Sequence, residues 1–133
     1  MSERKNILKI LVAGCLLLFS CRNGGLGGDV ILTVYPEHHG VSIHNCIGYP
    51  DTVFLKFDTD DFPGTKPSDY DTYFVGTPRE NFVHCHGLKP GKYFVYATGM
   101  DSAGPYRVMG GMPLKIKYSE RKDEITLNVP VVE

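Results

Sequence analysis

The chain has 133 residues, with 14 basic and 15 acidic side chains and a formal net charge of −1. That length fits one folded domain and is short for two. The nearly balanced charge, without a basic stripe, argues against a nucleic-acid partner.

The first 20 residues are predicted to be a removable export signal. Arg4 and Lys5 form a positively charged start, and residues 7–19 form an apolar run that only Lys9 interrupts. This run is too short for a transmembrane helix, which needs about 20 apolar residues. We therefore interpret residues 1–20 as a signal peptide.

The signal ends in Leu18-Phe19-Ser20-Cys21. This segment resembles the lipobox of bacterial lipoproteins, with Leu three positions before the cysteine and a small residue directly before it. The resemblance implies cleavage before Cys21, lipidation of its thiol, and a stable anchor once two or more acyl chains are attached. We expect the protein to lie in the cell envelope, at the outer membrane or on a periplasmic face. An ordinary secreted protein is the alternative.

Residues 21–28 are predicted to be the lipidated cysteine and a flexible tether, because four of the seven residues from 22 to 28 are glycine. Glycine-rich segments behave as flexible coils. The folded domain is accordingly predicted over residues 29–133, close to the membrane.

Apolar and polar residues alternate along most of the predicted domain, and Gly or Pro separates the runs. A period of two, rich in β-branched and aromatic residues, predicts half-buried strands. The runs are residues 29–35, 52–57, 81–86, 92–98, 113–118 and 124–132, with shorter ones at 73–75 and 106–109. We predict an all-β fold, a single small antiparallel β-sandwich of about seven strands.

Two segments refine this prediction. Residues 87–93 read GLKPGKY, in which Pro90 presets φ and Gly91 supplies a positive φ for a tight turn between strands. Leu88 and Tyr93 are expected in the core on either side. Together with GVSIHNC at residues 40–46, this segment resembles the carboxypeptidase-regulatory-like and prealbumin-like (transthyretin-like) β-sandwich domains. The resemblance implies a Greek-key, prealbumin-like topology, but it implies no particular chemistry.

Histidines form the sharpest local pattern. His84 and His86 are two positions apart on a predicted strand, so both imidazoles point to one face. Zinc and copper sites use this spacing, and His44, His38 or His39 could supply a third ligand. The same alternation directs His84 and His86 toward solvent, where histidine needs no metal. We expect solvated histidines and no cofactor, with metal binding as the alternative.

Cys46 and Cys85 are the two cysteines of the predicted domain. An exported protein meets an oxidising compartment, which permits a disulfide between them. Two separate buried thiols are the alternative.

Residues 58–71, DTDDFPGTKPSDYD, are predicted to form a long loop, since they contain two prolines, one glycine and five aspartates. The aspartates could hold Ca²⁺, but Phe62 and Pro63 stand where an EF-hand loop needs an oxygen ligand and a glycine. A solvated acidic loop is the expectation.

No catalytic set emerges. Transthyretin-type hydrolases carry Tyr-Arg-Gly-Ser, whereas Tyr106-Arg107 is followed here by Val108-Met109. We therefore expect a non-catalytic, lipid-anchored module with a binding or accessory role toward an extracytoplasmic protein or glycan. A histidine-based metal-binding protein and a small transthyretin-type hydrolase are the alternatives.

Overall fold

Eight strands form two sheets in the computed structural model, which describes residues 23–104 and 106–133. The predicted signal peptide and Cys21 lie outside the described residues. The strands are β1 (Leu26–His38), β2 (Val41–Ser42), β3 (Thr52–Phe57), β4 (Thr72–Val75), β5 (Val83–Leu88), β6 (Gly91–Asp101), β7 (Tyr106–Ile116) and β8 (Glu124–Val131). Two single 3₁₀ turns, Pro67–Asp69 and Tyr118–Glu120, complete the regular structure of these residues.

The long strand β1 is the centre of the first sheet. It pairs antiparallel with β2 and β5 and parallel with β8. The second sheet has the order β4-β3-β6-β7, and every pair in it is antiparallel. Among the described residues no helix is both long and apolar enough to cross a membrane.

The core lies between the two sheets and follows directly from the period-two pattern. Alternate residues of the longer strands point inward and are buried; they include Val30, Leu32 and Val34 of β1, Val53 and Leu55 of β3, and Val95 and Ala97 of β6. Burying one such Val or Leu side chain contributes about 1.5–3 kcal/mol. Leu88 and Tyr93, expected in the core on either side of the GLKPGKY turn, are both fully buried.

The predicted fold class is confirmed, with differences in detail. The runs at residues 106–109 and 113–118 belong largely to one strand, β7, because Gly110 and Gly111 continue the pairing with β6. The last strand is parallel to β1, so the first sheet is mixed and not wholly antiparallel. The prealbumin-like topology stays a prediction.

The glycine-rich segment departs from the predicted flexible tether. Strand β1 already begins at Leu26, and Gly24 donates a hydrogen bond from its amide to Asp58 Oδ1 at 2.7 Å. The Gly25 amide donates to the Tyr93 hydroxyl at 2.8 Å. A Cβ at Gly28 would overlap the carbonyl oxygen of Leu88. Gly24 and Gly28 allow backbone to pack closely on backbone, so the fold includes residues that the sequence assigns to a linker.

Strand β1 runs along the sandwich and defines its two ends. One end contains Leu26 and the β5–β6 turn. We call the other end the distal pole; it consists of residues 38–49, 101–103, 106–107 and 132–133. Because β6 and β7 are paired antiparallel and β8 is parallel to β1, the end of β6, the start of β7 and the end of β8 all meet at the distal pole.

Candidate functional site

A two-residue turn begins the distal pole. His38 of β1 pairs with Val41 of β2, and His39 and Gly40 connect them with φ of 53° and 77°. Two successive positive φ values in a two-residue hairpin loop are the mark of a type I′ turn, whose twist matches that of the strands. Gly40 adopts this conformation freely, whereas a non-glycine residue does so less often. The turn places the His38 and His39 rings side by side, with centroids 4.0 Å apart.

The imidazole of His38 is buried and held in one orientation. Its Nδ1 lies 2.7 Å from Asp101 Oδ2, at the end of β6 in the opposite sheet. A carboxylate only accepts hydrogen bonds, so Nδ1 carries the proton and donates it. This bond and the Ala103 amide, which donates to Asp101 Oδ1, lower the pKa of the Asp101 carboxyl from its ordinary value. The Tyr106 ring meets the imidazole edge-on.

The second ring nitrogen of His38 faces another carboxylate. Nε2 is 3.7 Å from Glu133 Oε1, which is beyond normal hydrogen-bond length. His39 contributes a third potential ligand, because one ligand atom each from His38, His39 and Glu133 lie within 4.8 Å of one another. His38 is buried while His39 and Glu133 are exposed. Two imidazoles and a carboxylate are a donor set typical of zinc sites.

A cavity of about 370 Å³ adjoins this cluster. Polar and apolar side chains share its lining, which consists of His38, Val41, Ser42, Ile43, His44, Asp101, Ser102 and Ala103. Its volume falls within the range of small-ligand sites, which is about 300–1,000 Å³. The histidine cluster therefore borders a space that a ligand or partner side chain can enter.

Exposed apolar side chains surround the distal pole. They are Val41, Ile47, Tyr49, Tyr106 and Val132, each at least 36% exposed. The Arg107 guanidinium lies over the Tyr49 ring, 5.0 Å from its centroid. We call these five side chains and Arg107 the apolar rim. Aromatic residues and arginine are enriched in protein interfaces, and exposed apolar clusters mark interaction surfaces.

One buried acid lies behind the distal pole. Asp51 is completely buried, and neither carboxylate oxygen has a hydrogen-bond partner within the described part of the chain. Its amide donates to Asn45 Oδ1 at 2.6 Å, and its carbonyl accepts from the Gly76 amide at 2.8 Å. Burial disfavours the charged form and raises the pKa of Asp51 to about 7.

His84 and His86, two positions apart on β5, point to one exposed face, as the alternation predicts, but the two rings have different neighbours. His84 Nδ1 lies 3.0 Å from Thr33 Oγ1, and its ring packs on Phe82. His86 packs edge-on against Phe74. His44 lines the cavity at the distal pole instead. Within the described residues, the one group suited to a metal consists of His38, His39 and Glu133.

The two cysteines are free thiols and are not bridged. Cys85 points into the core and is fully buried, and burial raises its pKa to about 12. Cys46 lies outside the sandwich core, where its Sγ is 3.5 Å from the Met100 carbonyl oxygen. The disulfide considered from the sequence is therefore absent from the structure, because the two side chains face different surroundings.

The acidic loop is built into the fold. Phe62 packs on Phe94, and Tyr70 stacks on Tyr96 with ring centroids 5.5 Å apart, so these rings cover the outer face of β6. Asp71 accepts from the Phe57 amide at 2.8 Å. Asp69 accepts from the Lys66 amide, and Asp58 accepts from the Gly24 amide. Three of the five aspartates thus accept hydrogen bonds from backbone amides, and this structural role explains their presence in the loop.

The sequence predicts His38 and His39 only as possible additional metal ligands beside His84 and His86. The available signal was the turn: two residues, His39 and Gly40, separate the end of one apolar alternation from Val41. A hairpin there would have placed both histidines at a strand end. Nothing in the sequence indicated Asp101 or Glu133, since their approach to His38 depends on how the two sheets pack.

Comparisons with known proteins add little beyond this geometry. No family model matches the chain, and no curated protein matches it. Among solved structures, the chain is similar to a DUF4876 family protein from Bacteroides thetaiotaomicron VPI-5482, with 22% sequence identity and a TM-score of 0.46. The match covers 77% of this chain and 23% of that one, so the chain spans about a quarter of that protein's length.

Proposed function

We propose that this chain is a lipid-anchored, non-catalytic module of the bacterial cell envelope that binds an extracytoplasmic protein through its distal pole. The anchor is Cys21, within the lipobox-like segment Leu18-Phe19-Ser20-Cys21. The binding surface is the apolar rim together with the polar cluster around His38.

The observation that carries this proposal is the position of the apolar rim at the end of β1 opposite to Leu26. Strand β1 has 13 residues, which corresponds to a length of about 40 Å. It begins near Cys21 and ends at His38. Since Gly24, Gly25 and Gly28 are packed into the fold, only a short segment separates the lipid from the sandwich. The domain would act as a spacer that presents its distal pole away from the membrane.

The composition of the rim favours a protein as partner. Val41 and Val132 supply exposed aliphatic surface, while Tyr49, Tyr106 and Arg107 supply residue types that are common at interface hot spots. A glycan partner is the alternative. Among the aromatic side chains of the rim, only Tyr49 and Tyr106 could stack on a sugar, because the chain has no Trp. We assign no catalytic role, since the proposal needs only recognition.

The anchor is tested by labelling cells with a fatty-acid analogue and following the full chain. The wild-type protein should incorporate the label and fractionate with membranes, and Cys21→Ala should do neither. Cys46→Ala is the matched control and should be labelled normally. Continued labelling of Cys21→Ala would overturn the anchor.

The binding surface is tested by co-purification of the membrane-extracted protein from envelope extracts. A specific protein partner should be lost from a Val41→Asp, Val132→Asp variant. It should be retained by Tyr73→Asp, which changes an equally exposed side chain on the outer face of the second sheet. Equal recovery with all three proteins would contradict the assignment to the distal pole.

A further inference from the structure

We propose that His38, His39 and Glu133 form a binding site for a divalent transition metal, with zinc as the fitting ion, and that Asp101 positions His38 for it. This inference goes beyond the proposed function. It requires neither the lipid anchor nor a protein partner, so either proposal can fail without the other.

The orientation of the His38 ring is the first observation that supports metal binding. Asp101 accepts the Nδ1 proton at 2.7 Å, which leaves Nε2 as the nitrogen with a free lone pair in the neutral ring. Histidine ligands of metals very commonly donate their other ring proton to a carboxylate, which fixes the tautomer and the ring plane. Asp101 and His38 have this arrangement, and Nε2 points toward a second carboxylate, that of Glu133.

The distances are close to those of a bound ion. Zinc bonds of about 2.0–2.2 Å in a tetrahedron place ligand atoms about 3.4 Å apart. The separation of His38 Nε2 and Glu133 Oε1 is already 3.7 Å, and the whole set of ligand atoms lies within 4.8 Å. His38 is buried and fixed, whereas His39 and Glu133 are exposed and can rotate toward it.

The donor set also indicates which ions fit. Imidazole suits zinc, copper and nickel, whereas magnesium and calcium prefer an all-oxygen shell. Three protein ligands leave a fourth position of a tetrahedral site for water or for a donor from another molecule.

The test is a zinc titration of the full chain, purified in detergent and stripped of metal, in competition with a chromogenic chelator. We expect one zinc per chain with a Kd below about 1 µM. The variants are His39→Asn, which suits the left-handed backbone conformation, and Glu133→Gln, which is nearly isosteric. Each should weaken binding at least about tenfold. Asp101→Asn should weaken it by about 10–100-fold, the usual effect of losing such a positioning group.

The matched control is a His84→Ala, His86→Ala double variant, which removes two exposed histidines elsewhere and should bind zinc like the wild type. Circular dichroism of every variant separates loss of ligands from loss of fold. As a second readout, cobalt(II) should give a visible absorption spectrum that changes with Glu133→Gln and not with the control. Zinc binding weaker than about 1 µM would overturn the proposal, as would unchanged affinity in Glu133→Gln or loss of binding in the control.

Discussion

Nδ1 of His38 donates a hydrogen bond to Oδ2 of Asp101 at 2.7 Å, and this bond joins the last residue of β1 to the last residue of β6. The two strands belong to different sheets. At the distal pole, therefore, the sheets are held by a polar contact as well as by apolar packing. Because the His38 side chain is only 4% exposed, little water is available to replace the carboxylate.

Removing this contact should weaken the domain. Asp101→Ala leaves a buried imidazole without its acceptor, and hydrogen bonds to charged groups contribute about 1.5–3 kcal/mol. We expect the free energy of unfolding to fall by about 1–3 kcal/mol, measured by urea denaturation with an unchanged m value. Asp61→Ala, in the exposed loop, is the control and should stay within about 0.5 kcal/mol of wild type. Equal stability of the two variants would contradict a structural role for Asp101.

The buried Asp51 should make stability depend on pH. Its pKa is about 7 in the folded protein and near the ordinary aspartate value of 3.8 in the unfolded chain. Between these values the folded chain holds a proton that the unfolded chain has lost. The stabilisation from the protonated form is therefore complete below pH 3.8 and is lost as pH rises through 7. The whole effect is on the order of 4 kcal/mol.

The Asp51→Asn variant separates this group from the other titrating residues. Asparagine keeps the shape of the side chain and cannot ionise, so the fall in unfolding free energy between pH 5 and pH 8 should largely disappear. Urea denaturation of both proteins at the two pH values measures the difference. If the variant loses as much stability as the wild type over this interval, Asp51 is not the group responsible.

The glycine-rich start of the domain should be sensitive to side chains. Gly28→Ala places a Cβ against the carbonyl oxygen of Leu88, and the backbone must shift to accommodate it. We expect a loss of about 1–3 kcal/mol, in line with overpacking elsewhere. Asn23→Ala, in the same segment but exposed, should be neutral. A flexible tether would tolerate both substitutions equally, so thermal denaturation of the pair distinguishes packing from flexibility.

The cysteines should differ in reactivity. Cys85 is buried with a pKa near 12, so it should resist alkylation in the folded protein, whereas the partly exposed Cys46 should react. Both should be alkylated after unfolding without reductant, as mass spectrometry would show. A non-reduced, unfolded protein in which neither residue reacts would show that a disulfide forms in the cell.

The strands were predictable because each depends on local alternation. Thr52–Phe57 is identical in sequence prediction and structure, since its inward residues are apolar and Lys56 faces outward. The close packing of Gly24 and Gly28 was not predictable, because glycine serves both flexible linkers and tight backbone contacts. Gly28 lies against the Leu88 carbonyl and Gly24 against the Tyr93 ring, and these contacts decide between the two roles.

The candidate site was less accessible to sequence reasoning than the fold. The spacing of His84 and His86 predicts a shared face because strand geometry fixes the relative direction of the two side chains. The cluster at His38 instead joins residues up to 95 positions apart, His38 and Glu133, through the parallel pairing of β1 with β8. The sequence predicted antiparallel neighbours, and so it could not place Glu133 beside His38.

The central claim, that the distal pole faces and binds a protein partner while the other end is anchored, is tested most directly by photo-crosslinking in intact cells. A photoreactive amino acid at Val41 should give a discrete, protease-sensitive adduct with the membrane-bound protein. The same group at Tyr73, which is 63% exposed compared with 69% for Val41, should give none. An adduct sensitive to glycosidase and not to protease would contradict a protein partner. Adducts from Tyr73 without any from Val41 would contradict the distal pole as the binding surface.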